Sequence, residues 1–327
     1  MIKFIYISLF TLILFTGCST RQYYEPEDTT NFATKINDLN SNIIDLNTDG
    51  ATLENFDYIS KKGILENLKP NFKFLNLQED TIIATDDNAT IYIKNDTLDK
   101  TINFDKNIIS ASKSSNILAF SSNDNSITLY DIEKEQTLFK EYLKHSSINN
   151  IKIANPLFLN SLVLYPTLDG KIVIVDIKTK AIVKTLNIDP NGDINNIIFL
   201  EKIDDSLVAA TTSKIFTLVN GTPSIKEIDV QNIIIKDQFI YVATLDGYII
   251  KYNKELQEIA SKKFKFAKIH ALATGEYLYA LESQGYLIQI DKEFKEVNIY
   301  DFPFDSEKKT IAIDNKIYFE NKYIILK

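Results

Sequence analysis

From about residue 70 onward the chain alternates short arms of Ile, Val, Leu, Tyr, Phe and Thr with small polar breaks, and helical periodicity is nearly absent. Arms of this kind are strands, because β-branched and aromatic side chains fit a pleated surface. The breaks carry residues that accept positive φ, as tight hairpin turns require. The segment from Phe239 through Asp246-Gly247 to Tyr252 aligns with that from Ser161 through Asp169-Gly170 to Asp176, each reading strand, turn, strand. Related copies surround Asp87-Asn88, Asp124-Asn125, Ser213-Lys214 and Gln284-Gly285, with a truncated copy at Asn321-Lys322. The turns recur about every 34 to 45 residues, the range in which propeller blades repeat.

One repeat resolves further into Asn232 to Ile235, Phe239 to Thr244, Tyr248 to Tyr252 and Ile259 to Phe266. Four antiparallel strands per unit predict an all-β chain, a β-propeller whose radial closure protects its edges. Asp169, Gly170, Asp246, Gly247 and Gly285 are its structural turn residues. Six complete blades fit between Phe72 and Phe302, and Thr310 to Lys327 offers three more strands. A fourth strand from the N-terminal side, Asn42 to Leu46 or Phe56 to Ile59, is expected to close the ring at seven blades. The count becomes eight if the Asp49-Gly50 hairpin forms its own blade.

The N-terminus reads differently. Lys3 precedes an apolar stretch from Phe4 to Phe15, shorter than the roughly 20 residues of a spanning helix, so residues 1–17 are expected to be a signal peptide. Leu14-Phe15-Thr16-Gly17-Cys18 resembles the lipobox of bacterial lipoproteins, which implies acylation of Cys18. Ser19 after the cysteine implies sorting to the outer membrane, with the chain expected on its periplasmic face. The alternative is an ordinary signal peptide with a chance cysteine. Residues 18–41 are polar and aperiodic and are expected to be a flexible tether, although the part after Phe32 could be a strand; residues 42–327 are the propeller domain.

Composition narrows the function classes. A net charge of −8 and a pI near 5.0 argue against nucleic-acid binding, which needs a basic surface. One cysteine permits no internal disulfide, and two histidines make a His-based metal centre improbable, so neither metal nor cofactor is expected. Nucleotide-binding loops and the common hydrolase and metalloprotease signatures are missing. The carboxylate pairs Asp124 with Asp131 and Asp204 with Asp205 lie near hairpin turns and read as turn formers. His270 is placed on an inner strand, where it could face a central channel. Ser261-Lys262-Lys263 and Glu307-Lys308-Lys309 read as solvated loops or edge protection.

The repeats resemble the pyrroloquinoline-quinone-type propeller repeat, with Asp131, Asp176, Asn253 and Asp291 where that family carries a residue after the third strand. The family's quinoprotein dehydrogenases dock blades with recurring tryptophans, and this chain has none. A lipoprotein built from such repeats resembles the BamB family, accessory factors of outer-membrane β-barrel assembly. That resemblance implies a non-enzymatic scaffold that binds envelope proteins, among them the β-barrel assembly machinery, through loops on one face. The longer connectors supply the candidate contacts: His145, Ser146 and Asn149 in one, Asp189, Asn191 and Asp193 in the other. The alternatives are a periplasmic quinoprotein-like enzyme and a surface lipoprotein that binds another envelope or host component.

Overall fold

The computed structural model describes residues 22–146, 152–191 and 195–327. Cys18 lies outside the described residues. Strands account for all regular structure among them, and no helix there is long and apolar enough to cross a membrane. The strands form eight four-stranded blades. Seven are consecutive antiparallel meanders: blade 1 at residues 43–65, blade 2 at 73–103, blade 3 at 108–142, blade 4 at 157–187, blade 5 at 199–227, blade 6 at 230–263 and blade 7 at 269–301. Blade 8 combines residues 310–325 with an outer strand from the other end of the chain, Ile36–Asp38.

The count is eight, the alternative in which the Asp49-Gly50 hairpin forms its own blade, rather than the seven expected first, and neither expected closing strand closes the ring. Asn42 to Leu46 and Phe56 to Ile59 belong to blade 1, whose strands hold only three or four residues each. Closure is made by Ile36 opposite Ile324, Asn37 opposite Tyr323 and Asp38 opposite Lys322. Thr30–Asn31 also runs parallel to Tyr300–Asp301 on the rim of blade 7. The stretch expected as tether thus holds two strands, and Tyr24 and Leu39 within it are buried. Sheet edges can recruit such short polar segments through main-chain hydrogen bonds alone, so no hydrophobic period announces them.

The recurring residue after each third strand has a local purpose. The Asp131 carboxylate accepts the amides of Glu133 and Lys134 at 3.1 and 3.0 Å, and Asp176 accepts those of Lys178 and Thr179 at 2.9 and 2.7 Å. Asn253 and Asp291 cap their own turns in the same way. These side chains replace backbone partners that the hairpin cannot supply. Backbone donation, from Lys134 to Asp131 and from Thr179 to Asp176, holds both carboxyls below their usual range.

The blades dock through tyrosine and phenylalanine in place of tryptophan. Phe104 lies 4.5 Å from Phe120 and 5.2 Å from Tyr130 between blades 2 and 3, and Phe302 lies 5.1 Å from Phe319 between blades 7 and 8. Tyr165 donates its hydroxyl to the Thr128 carbonyl at 2.8 Å, joining blades 3 and 4. Gly170 and Gly247, at φ 72° and 85°, are required as well as permitted: a Cβ there would meet the Asp189 or Phe264 carbonyl oxygen at 2.2 Å.

Ending the chain before Thr310 should abolish cooperative unfolding of the whole ring, because blade 7 then loses its neighbour and Ile36–Asp38 loses its partner. Circular dichroism melts would check this, and a sharp, reversible transition in the truncated chain would contradict it.

Candidate binding face and central channel

The turns between second and third strands and the links into the next blade lie at one end of the ring, and hydrogen bonds tie each pair together. The Phe104 amide donates to Ala89 at 2.9 Å, Ile188 and Asp189 to Gly170 at 3.0 and 2.9 Å, Phe264 to Gly247 at 2.8 Å, and Phe302 to Gly285 at 2.8 Å. Turn and connector therefore form one continuous surface. Between blades 3 and 4, the buried Asn125 amide group donates to the Lys144 carbonyl at 2.7 Å and to Asp169 at 3.1 Å, while its oxygen accepts the Leu168 amide at 2.9 Å. Burial pushes the Asp169 carboxyl up, but hydrogen bonds from Lys171, Thr167 and Asn125 outweigh it and hold the group below its usual range.

The candidate contact residues separate on this surface. His145 and Asn191 are exposed, while Ser146 turns inward and donates to the Leu168 carbonyl at 2.9 Å. Asn149 and Asp193 lie outside the described residues. Asp189 is not at the surface: it is 3% exposed, and its carboxylate is held by Lys214 at 3.2 Å and by Ser213. It joins the blade 4 connector to a blade 5 turn. A carboxylate in a connector looks like a contact residue from sequence, and only the register of the next blade reveals its partner. Asp124 and Asp204 likewise serve structure: Asp124 accepts from Ser126 in its own turn at 2.6 Å, and Asp204 of blade 5 accepts from Gln238 of blade 6 at 2.9 Å.

The first strands of the blades line a central channel with a cavity of about 750 Å³. Residues 152–155, just ahead of blade 4, leave the blade and cross this channel. The Ala154 amide and the Lys152 carbonyl meet Ile197 and Asn196 at 3.0 and 2.8 Å on the blade 5 side. Lys152 Nζ donates to Gln231 and Asn232 of blade 6 at 3.1 and 2.9 Å. In the other direction the Ile153 carbonyl accepts from Thr48 of blade 1 at 3.1 Å, and the Asn155 side chain accepts the Ala111 amide of blade 3 at 2.8 Å and donates to Asp49. Sequence reasoning missed this segment. Pro156, which cannot donate in a sheet, was the available sign that the inner strand starts late.

Asp49, Glu201 and Asp314 face the lumen and are exposed to it, yet protein surrounds them on every side. Loss of bulk water, then the charges of Asp49 and Asp314, push Glu201 up to about 7, with Lys61 opposing. Burial also raises Asp49 against hydrogen bonds from Thr48 and Asn155. Burial lowers Lys152, and burial followed by the Lys152 charge lowers His270, whose ring lies 5.2 Å from Phe304. Loss of water is the main physical cause of the Glu201 shift, and the neighbouring carboxylates add to it. Among the described residues no three metal-ligating side chains converge.

No family model matches the chain. In an alignment 315 positions long that covers 81% of the chain, it is 28% identical to the plasminogen-binding protein PgbB of Helicobacter pylori strain J99. It is 28% identical over 306 residues to PgbB of strain 26695. The chain spans 58% and 56% of those two relatives. Among solved structures, BamB from Moraxella catarrhalis superposes with a TM-score of 0.64 at 15% identity, covering 91% of this chain and 99% of that one. The fold resembles that of BamB. The computationally designed Ika8 protein superposes with a TM-score of 0.63 at 15% identity, over 92% of this chain and all of its own, so the BamB likeness is one of architecture. The C-terminal WD40 domain of Sif2 is equally similar, with a TM-score of 0.64 at 14% identity over 92% of this chain and 99% of its own.

Asp189→Asn should destabilise the ring by about 1–3 kcal/mol, because a buried, hydrogen-bonded charge pair is broken; denaturant titration reads this directly. Folded Glu201 titrates near 7 and its ordinary value is 4.5, so the folded chain binds the proton more tightly and stability falls as pH rises through that window. In Glu201→Gln the fall should flatten, as measured by melting temperature across the same pH range.

Proposed function

We propose that this chain is a non-enzymatic protein-binding scaffold of the cell envelope, held at a membrane by acylated Cys18 and working through its turn-and-connector face. The observation that carries the reading is the 28% identity, over 81% of the chain, to proteins named for binding plasminogen. The geometry supports it: rigid blades present loops as one surface, which is where recognition normally resides. Within this reading the relatives favour a surface lipoprotein that holds a soluble host protein of the plasminogen kind. The second reading is a periplasmic partner of the β-barrel assembly machinery, favoured by the Ser19 sorting signal and by the lipobox.

Capture of soluble plasminogen by intact cells, beside affinity purification from solubilised envelopes, separates the two. Plasminogen bound by intact cells supports the first reading, and recovery of barrel-assembly proteins without plasminogen capture supports the second. Lys144→Glu with His145→Glu in one connector, and Asp193→Lys in the other, should weaken the recovered interaction roughly tenfold, about 1.4 kcal/mol, with little change in melting temperature. Loss of binding only from substitutions at the opposite end of the ring would place the working surface elsewhere.

A further inference from the structure

We infer that the rim of blades 6 and 7, on the turn-and-connector face, rests directly on an anionic lipid surface. The inference builds on the proposed lipid anchor at Cys18 and adds an orientation to it. Ser261 to His270 contains Lys262, Lys263, Lys265 and Lys268 and no carboxylate, in a chain whose net charge is −8. The stretch forms the end of blade 6 and its connector into blade 7.

Apolar side chains stand out beside these lysines. Leu245, in the blade 6 turn, is 61% exposed, and Phe266, in the connector, is 40% exposed. Both belong to the same end of the same blade: the Phe264 amide donates to Gly247 at 2.8 Å, and Lys263 reaches across to Asp246 at 3.0 Å. Lys265 Nζ lies 4.8 Å from the centre of the Phe266 ring. Lys263 neutralises Asp246, and the other carboxylates at this end are exposed Asp229, whose carbonyl accepts the Leu245 amide, buried Glu282, which accepts the Lys268 amide at 3.1 Å, and exposed Glu25 next to Tyr24. Protruding Leu and Phe ringed by lysines suit an interface in which apolar tips enter the acyl boundary and ammonium groups stay among anionic headgroups.

The course of the chain supplies the second argument. Tyr24 is 7% exposed and packs edge-on against Phe264 at 6.1 Å and Tyr286 at 5.8 Å, so the N-terminal segment is fixed at this rim, with Tyr23 half exposed beside it. Six residues lead from Cys18 to Tyr24, and at no more than about 3.6 Å each they reach only about 22 Å. An acyl chain on Cys18 would therefore hold the bilayer within about 22 Å of this rim.

The chain contains no tryptophan, so Phe266→Trp introduces a single indole, and Tyr277→Trp places one at the opposite end of the ring for comparison. Each full-length, acylated protein is reconstituted on phosphatidylethanolamine–phosphatidylglycerol vesicles with brominated acyl chains. The expected result is a blue-shifted emission at position 266 quenched several-fold more than at 277. Replacing phosphatidylglycerol by phosphatidylcholine, or adding Lys265→Glu with Lys268→Glu, should remove most of that difference while the protein still floats with the vesicles. A floating protein whose indole at 266 is quenched no more than that at 277 overturns the orientation and leaves the anchor standing. A protein that does not float removes the anchor and the inference with it. Shielding of position 266 that needs added envelope proteins gives the rim to a protein partner and also overturns the lipid assignment.

Discussion

The last blade of this propeller borrows its outer strand from the other end of the chain, and that strand is three residues long. Ile36, Asn37 and Asp38 pair with Ile324, Tyr323 and Lys322. Few main-chain bonds hold the closure, so the side chains around it carry much of the load. Phe32 lies 4.9 Å from Tyr300, Thr29 donates to Asp301 at 2.8 Å, and Tyr24 fills the groove between blades 6 and 7. Burial of aromatic rings stabilises such a seam by more than its hydrogen bonds do, because each strand bond replaces one to water. The same seam dictates that the N-terminal segment runs outside blades 8 and 7 before it leaves the domain.

Closure also encloses a channel, and enclosure makes charge expensive. Loss of water raises Glu201 to about 7, and repulsion from Asp49 and Asp314, which would be mild in bulk water, adds to the shift. The crossing segment offsets part of this, since Asn155 donates to Asp49, as does Thr48 of blade 1. Lys152 and His270 are shifted toward their neutral forms by the same burial.

What could be read from the sequence was what repeats. Asp169-Gly170 and Asp246-Gly247 stand where backbone geometry admits little else, and Asp131, Asp176 and Asp291 recur because each must cap its own hairpin. Blade 1 was obscured because its strands are too short to show a period of two. Ile36–Asp38 was hidden for a related reason: an outer strand exposed on both faces needs no hydrophobic pattern. At the candidate site, exposure of His145 followed from its polar connector, whereas the inward turn of Asp189 depends on Ser213 and Lys214, residues 24 and 25 positions away by count. Contacts set by the ring and not by the repeat leave no local signature.

The N-terminal route and the connector face constrain each other. The two connectors proposed to bind partners lead into blades 4 and 5, while the lysine-rich rim joins blades 6 and 7. In a ring of eight blades the first connector lies three steps from that rim. A domain held by this rim would tilt, with blades 6 and 7 lowest and the His145 connector raised away from the lipid. Anchoring through a long free tether would give no such order, and every loop of the face would meet membrane and partner alike. Because Tyr24 is locked between Phe264 and Tyr286, the proposed anchor would turn one face into two working regions, one for lipid and one for protein.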